Sequence, residues 1–363
     1  MRETPRAMRV LGIESSCDET AAAIVDCDAS ADAGALPPGR VLVDVIASQF
    51  AVHAPYGGVV PELASRAHVA NVGPVVRRAL EACGGSWESI DGLAITQGPG
   101  LSGALLVGMQ VGKTLALSLD LPLVHVDHLV GHLLAVHLTR EGQPQDARPA
   151  LPYVALLASG GHTAIYEVRG DDDVEMIGQT RDDAAGEAFD KAGKLLGLGY
   201  PGGPRVDRLA KLGDPSAVTL PKPMASTRTL DFSFSRLKTA LARHVAEHGV
   251  PQDERGLADV CAAFQHAVVE VLSRKAVAAC ERRKIPRLVL AGGVAANSGL
   301  RARAGQLCTS RGVTLYVPSL ASCTDNAAMI AYAGALRLLR GERDALDLPA
   351  YTRSANLRRG KVR

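Results

Sequence analysis

From Arg9 onward, short apolar runs separated by polar or glycine-rich turns alternate with longer stretches of helical periodicity. VLGIESS (10–16), AAAIVD (21–26) and VLVDVIA (41–47) read as three strands. The same order recurs later as VALLAS (154–159), TAIYEV (163–168) and VEMIGQT (174–180). Each triplet gives way to helix–strand alternation. In the first block, helical patterns near 62–82 and 101–118 flank a strand at 91–96; a strand at 122–126 and a helix from 127 follow. In the second, helical patterns at 184–196 and 256–284 precede a strand at 287–292, a helix near 296–310, a strand at 314–318 and a helix from about 324.

The shared order predicts a duplicated α/β unit. It is the plan of the actin, sugar kinase and Hsp70 group, the RNase H-like fold, in which two lobes face a central cleft. The stretches 28–40 and 141–152 are rich in Pro, Gly and small polar residues. The second marks a boundary, giving lobes at 1–147 and 148–363.

Composition narrows the class. The 363 residues are 47% hydrophobic and 21% charged, ordinary for a globular protein with two real cores. Forty basic and 38 acidic side chains leave a net charge of +2, so no nucleic-acid partner is demanded by charge. Aromatics at 4% argue against rows of base-stacking rings. No run of about 18 uncharged apolar residues is present, and the N-terminus lacks a signal-peptide pattern, so a cytoplasmic protein is expected. Seven cysteines without a CxxC pair read as reduced thiols.

Several motifs carry chemistry. The first hairpin turn, residues 14–20, holds three acids and three hydroxyls, a ligand-facing turn or a solvated one. The second turn pairs Gly160 and Gly161 between Ser159 and His162, which suits close approach of backbone N–H groups to an anion. His128 and His132 stand one helical turn apart, so both imidazoles can face one ion; packing or capping fits the same spacing. Asp325, at the start of the last helix of the second half, is the candidate third ligand, reaching across the cleft. Two His and one carboxylate suit iron(II) or zinc. Leu129 occupies the place where an HExxH peptidase has its base. GKT at 112–114 fails as a Walker A motif because Val107 replaces the required Gly, and it reads as helix with a surface Lys113. AGGVAANS (291–298) is a strand-to-helix turn open to a nucleoside or phosphate. PGGPRVD (201–207) reads as a rigid loop. Asp190 and Asp207 are candidates for ribose hydroxyls or plain surface acids. The arginine- and lysine-rich tail after Asp347 fits an RNA backbone or a solvated end.

The ordered set GIESSCDET, PELASRAH, HLVGH, ASGGHT, DDAAGEAFDK, YPGGPRVD, DFSFSRLKT, AGGVAANS and CTDNAAMIA resembles the tRNA N6-adenosine threonylcarbamoyltransferase family over residues 9–332. Earlier names for this family are glycoprotease and O-sialoglycoprotein endopeptidase. The resemblance implies transfer of a threonylcarbamoyl group from threonylcarbamoyl-adenylate to N6 of adenosine 37 in tRNAs reading ANN codons, with release of AMP. It implies His128, His132 and Asp325 as metal ligands, iron(II) being the usual ion and zinc the other. It implies Ala158, Ser159, Gly160, Gly161 and His162 as the phosphate and substrate loop. Asp190, Gly203, Asp207 and Asn297 match contacts to the adenylate, and Asp18 and Glu19 match the acids needed for turnover. It also implies partners: tRNA, a paralogue that forms a heterodimer, and a P-loop ATPase.

The sequence departs from the family pattern in the long 28–40 insertion, in Arg236 where Gly is usual, and in the length of its basic tail. The competing readings are a metal-dependent glycoprotein endopeptidase and an ATP-binding kinase-like protein. Against the second, an HxxxH pair is a poor ligand set for Mg²⁺.

Overall fold

In the computed structural model, residues 6–28, 35–142, 148–354 and 357–359 are described. The chain forms two compact units. Unit 1 comprises Met1–Leu151, Gly170–Asp173 and Pro318–Leu357; unit 2 comprises Pro152–Arg169, Val174–Val317 and Arg358–Arg363.

The first block builds β1 (Met8–Glu14), β2 (Glu19–Cys27) and β3 (Gly39–Ser48) as an antiparallel meander. A short helix α1 (Phe50–His53) leads to α2 (Pro61–Ala82), which starts on a proline whose missing N–H costs nothing in a first turn. Then come β4 (Gly92–Gly98), α3 (Ser102–Leu119), β5 (Leu123–Asp127), α4 (His128–Leu134) and β6 (Leu138–Arg140). The sheet order is β5-β4-β1-β2-β3-β6.

The second block repeats the plan. It has β7 (Tyr153–Ala158), β8 (Thr163–Val168), β9 (Val174–Gln179), α5 (Ala185–Leu195), α6 (Gly202–Ala210), α7 (Ser235–His248), α8 (Glu254–Arg283), β10 (Arg287–Ala291), α9 (Ser298–Ser310) and β11 (Thr314–Tyr316). After α10 (Leu320–Cys323) and α11 (Ala327–Leu339), the two-residue β12 (Arg358–Arg359) closes the sheet β11-β10-β7-β8-β9-β12. The two sheets share one strand order, as the repeated pattern predicts.

The division at 147/148 lies near the first crossing between units but does not anticipate the return of residues 318–357. That return has a packing cause. Helix α11 is apolar and almost wholly buried, and it lies against β1 and β2 of unit 1. A Cβ at Gly12 of β1 would stand 2.5 Å from the Ala327 carbonyl oxygen and 2.6 Å from the Ala331 nitrogen. Only glycine permits this approach of helix to strand.

Two expectations are corrected. Residues 201–207 are the start of helix α6 rather than a loop. Asp190 Oδ1 accepts the Gly202 N–H at 2.8 Å and the Gly203 N–H at 3.4 Å, and Pro204 sits in the first turn, where no N–H is needed. Arg236 is the second residue of α7 and is exposed. Lys113, expected as a surface residue, is instead half-buried and donates to the Leu348 carbonyl at 2.7 Å. Among the described residues, two helices reach the length and hydropathy of a membrane span, α3 and α8; in α8, 78% of that window is buried in the core. The 28–40 insertion falls partly outside the described residues, as do Lys361 and Arg363 of the tail.

Candidate functional site

In unit 1 the candidate centre is built at the C-terminal end of β5. Asp127 ends that strand and caps α4, accepting the Leu129 N–H at 2.8 Å and the Val130 N–H at 3.3 Å. Its other oxygen accepts from the hydroxyls of Tyr351 (2.8 Å) and Ser354 (2.7 Å). The cap fixes where α4 begins, and so which face carries His128 and His132. Their rings lie edge to face, 4.7 Å apart.

Asp325 belongs to the same unit as the histidines, so no reach across a cleft is involved. Asn326 caps α11 by accepting the Met329 N–H at 3.0 Å and returns a hydrogen bond to the Thr324 carbonyl at 2.7 Å. This holds the Asp325 backbone just ahead of the helix. Asp325 Oδ1 lies 3.0 Å from His132 Nε2 and 3.6 Å from His128 Nε2. One ligand atom from each residue falls within 4.8 Å of the others. Imidazole nitrogen and carboxylate oxygen both bind a divalent ion at about 2.0–2.2 Å, so donors 3.0 and 3.6 Å apart fit around one ion. The buried donors and the surrounding carboxylates suit a divalent metal.

Glu14 is the residue that motif reading did not single out. It ends β1 with its side chain fully buried. Its Oε2 lies 3.0 Å from His128 Nδ1 and accepts from Thr96 Oγ1 at 2.7 Å, while its Oε1 accepts the Ser16 N–H at 2.5 Å. Burial would raise the Glu14 carboxyl, but the His128 charge and hydrogen bond outweigh it and hold the pKa below the ordinary value. Burial would lower His128, yet the charges of Glu14 and Asp325 push it up to about 9. The site thus attracts a cation, here a proton. A carboxylate closing an otherwise apolar strand was the available signal in the sequence.

Asp18 and Glu19 are also in unit 1, at the turn between β1 and β2. Burial first, then the charges of Asp18 and Asp325, push the Glu19 carboxyl up to about 9. Glu19 therefore holds its proton more tightly than an ordinary glutamate. Ser16 Oγ lies 3.2 Å from His128 Nδ1, which places the acidic turn beside the histidine–aspartate group.

The remaining predicted residues are in unit 2. The β7–β8 turn is closed by the Ser159 N–H to the His162 carbonyl (2.8 Å) and the His162 N–H to Ser159 Oγ (3.1 Å). Gly160 and Gly161 are exposed, and a Cβ on either would meet nothing within 4 Å. Beneath the turn, Gly292 has φ +81° and approaches so closely that a Cβ would stand 2.5 Å from the Ala158 carbonyl. The Gly186 N–H donates to the Ser159 carbonyl at 3.0 Å, tying the turn to the start of α5, the helix that carries Asp190.

Asp190 and Gly203 meet at the start of α6. Asp207 accepts from Ser298 Oγ at 2.8 Å and its N–H at 3.2 Å. Asn297 caps α9 through the Leu300 N–H at 2.9 Å and donates to Gln265 Oε1 at 2.7 Å. Asp190, Asp207 and Asn297 thus all hold helix N-termini. The sequence places them but does not show these bonds.

Two six-stranded sheets of one strand order, with a His₂–Asp group in the first that suits a divalent ion, define a duplicated actin-like α/β protein. Solved structures agree on the fold. That of T. kodakarensis HypF matches with TM-score 0.58 at 13% identity, covering 93% of this chain and 48% of that one. Full-length HypF in its phosphate- and nucleotide-bound form matches with TM-score 0.56 at 13% identity, covering 96% and 48%.

The family described as tRNA N6-adenosine threonylcarbamoyltransferase matches residues 40–332, and the chain belongs to it. A relative of that name from Sorangium cellulosum (strain So ce56) is 59% identical over 355 residues, 96% of this chain and 97% of the relative. One from Anaeromyxobacter dehalogenans (strain 2CP-C) is 54% identical over 343 residues, 94% and 98%.

Proposed function

We propose that this chain transfers the threonylcarbamoyl group of threonylcarbamoyl-adenylate to N6 of adenosine 37 in tRNAs reading ANN codons. The product is t6A, and AMP leaves. The observation that carries the reading is the His128–His132–Asp325 group in a chain that belongs to this family along most of its length.

The adenine amine is a weak nucleophile, so the acyl donor must be activated and the amine proton removed. N6 attacks the carbamoyl carbon; the bond from that carbon to the phosphate oxygen breaks, and N6 gives up a proton. Asp18 is the proposed acceptor of that proton, with Glu19 beside it. His128, His132 and Asp325 hold the ion, iron(II) in this proposal, with zinc the other ion such ligands accept. Such an ion supplies Lewis-acid polarisation of a carbonyl or phosphate oxygen. In unit 2, the backbone at 158–162 cradles negative charge, and Asp190, Gly203, Asp207 and Asn297 shape the adenylate pocket by fixing helix N-termini.

The proposed partners are tRNA, a paralogue and a P-loop ATPase, in the cytoplasm. Exposed Val69, Leu106 and Leu117, on the packed pair α2 and α3, supply apolar surface for the paralogue. Mass spectrometry of bulk tRNA tests the reading, in cells depleted of this chain and complemented with wild type or His128→Ala/His132→Ala. Loss of t6A restored only by wild type is expected. Undiminished t6A after full depletion, with no second enzyme present, overturns it.

A further inference from the structure

Below the acidic turn of unit 1 runs a chain of buried polar side chains that the transfer reaction does not call on. Thr20, Gln49, His53 and His68 are at most 1% exposed. Their bonds have one consistent direction. The Cys17 carbonyl can only accept, so His68 Nε2, 3.0 Å away, carries the proton and donates to it. With burial holding His68 neutral, its Nδ1 accepts from Thr20 Oγ1 at 2.8 Å. Thr20 Oγ1 in turn accepts from Gln49 Nε2 at 3.4 Å. Gln49 Oε1 accepts from His53 Nε2 at 3.2 Å, and His53 Nδ1 accepts the Val60 N–H at 3.3 Å.

Within the chain, each of the four side chains donates one hydrogen bond and accepts one. The chain's end point matters most. Three successive carbonyls of the turn are held from three segments: Ser16 by the Leu101 N–H at 2.8 Å, Cys17 by His68, and Asp18 by the Gln49 N–H at 2.9 Å. Two of these three anchors, His68 and Gln49, belong to the relay.

We propose that His68 is a positioning residue for the acidic turn. Through Thr20 and Gln49 it fixes the backbone at residues 17–18 and hence the carboxylates of Asp18 and Glu19. This rests on the reading of those two acids as participants in turnover. A glutamine at position 68 can accept from Thr20 and donate to Cys17 with one amide, whereas leucine can do neither.

The test is steady-state transfer by the full chain with its partners, alongside metal content and thermal midpoint. His68→Leu is expected to lower kcat by about 10–100-fold with KM for tRNA within about threefold, and His68→Gln to recover most of it. In a double-mutant cycle, His68→Leu adds little to Asp18→Asn, because both act on one carboxylate. Thr20→Val against Thr20→Ser repeats the comparison should His68→Leu not fold. Wild-type kcat in His68→Leu, additive effects with Asp18→Asn, or equal losses in the Leu and Gln variants overturn the positioning role. Wild-type turnover in both Asp18→Asn and Glu19→Gln overturns the reading of the acids themselves, a result visible without any change at His68.

Discussion

Glu14 Oε2 lies 3.0 Å from His128 Nδ1, and Ser16 Oγ lies 3.2 Å from the same nitrogen. Nδ1 therefore donates toward the strand, so that once the second proton leaves Nε2 it is the Nε2 lone pair, on the Asp325 side, that is free for an ion. A carboxylate behind an imidazole ligand sets both tautomer and ring orientation. Glu14→Gln keeps the shape and removes the charge. Metal affinity is expected to fall by about 10–100-fold, read by competition with a calibrated chelator. Unchanged affinity refutes this role for Glu14.

Removing a ligand acts more sharply. Asp325→Ala and His132→Ala each delete one of three donors, and the purified protein is expected to lose stoichiometric divalent metal. Asp325 side-chain exposure of 23% means that its loss empties no core, so the circular dichroism spectrum stays that of wild type. Metal content by mass spectrometry decides the matter, and full retention in both variants removes these residues as ligands.

Gly12→Val tests the seat of α11. The new side chain meets helix backbone at 2.5–2.6 Å, which no rotamer relieves. Overpacking of this kind costs about 1–3 kcal/mol or more, read as a lower denaturation midpoint. Because α11 carries Asp325 at its start, metal affinity is expected to fall in the same variant.

Lys275 supplies a pH dependence. Its side chain is fully buried, with Nζ donating to the carbonyls of Thr229 (2.9 Å) and Asp231 (2.5 Å). Burial is the main cause that lowers its pKa from 10.5 to about 8. Between these values the unfolded chain binds the proton and the folded chain does not, so stability rises with pH across that window. The penalty is full below about pH 8 and is on the order of 3 kcal/mol. Lys275→Met is expected to flatten the rise between pH 8 and 10.5 relative to wild type, measured by urea unfolding at a series of pH values. Parallel curves refute the assignment.

Asn297→Ala removes a helix cap as well as any ligand contact. Loss of the cap alone costs about 1 kcal/mol. A stability loss of that order without ligand present is expected, and an unchanged midpoint refutes the capping role.

Apolar alternation and helical periodicity were enough to place both strand triplets and most of the helices, because each of those elements buries a face whose period is local. The HxxxH pair was legible for the same reason, since four residues on a helix are one turn wherever the helix lies. Helix α6 was missed because its glycine- and proline-rich start is stabilised by Asp190, twelve residues earlier in the chain. No local pattern records that bond.

By itself the sequence determined the repeated order of elements, the family, and the residue types of a His₂–carboxylate group. The tertiary structure alone decided that residues 318–357 return to the first unit and deliver Asp325 to the histidines there. It alone decided that Glu14 stands behind His128 and that a relay from Val60 to Cys17 underlies the acidic turn. The physical reason is distance along the chain. Glu14 and His128 are 114 positions apart, and His132 and Asp325 are 193. Their pairing follows from how strands order in a sheet and how closely a helix can approach a glycine, and neither is written in the pattern around any one residue.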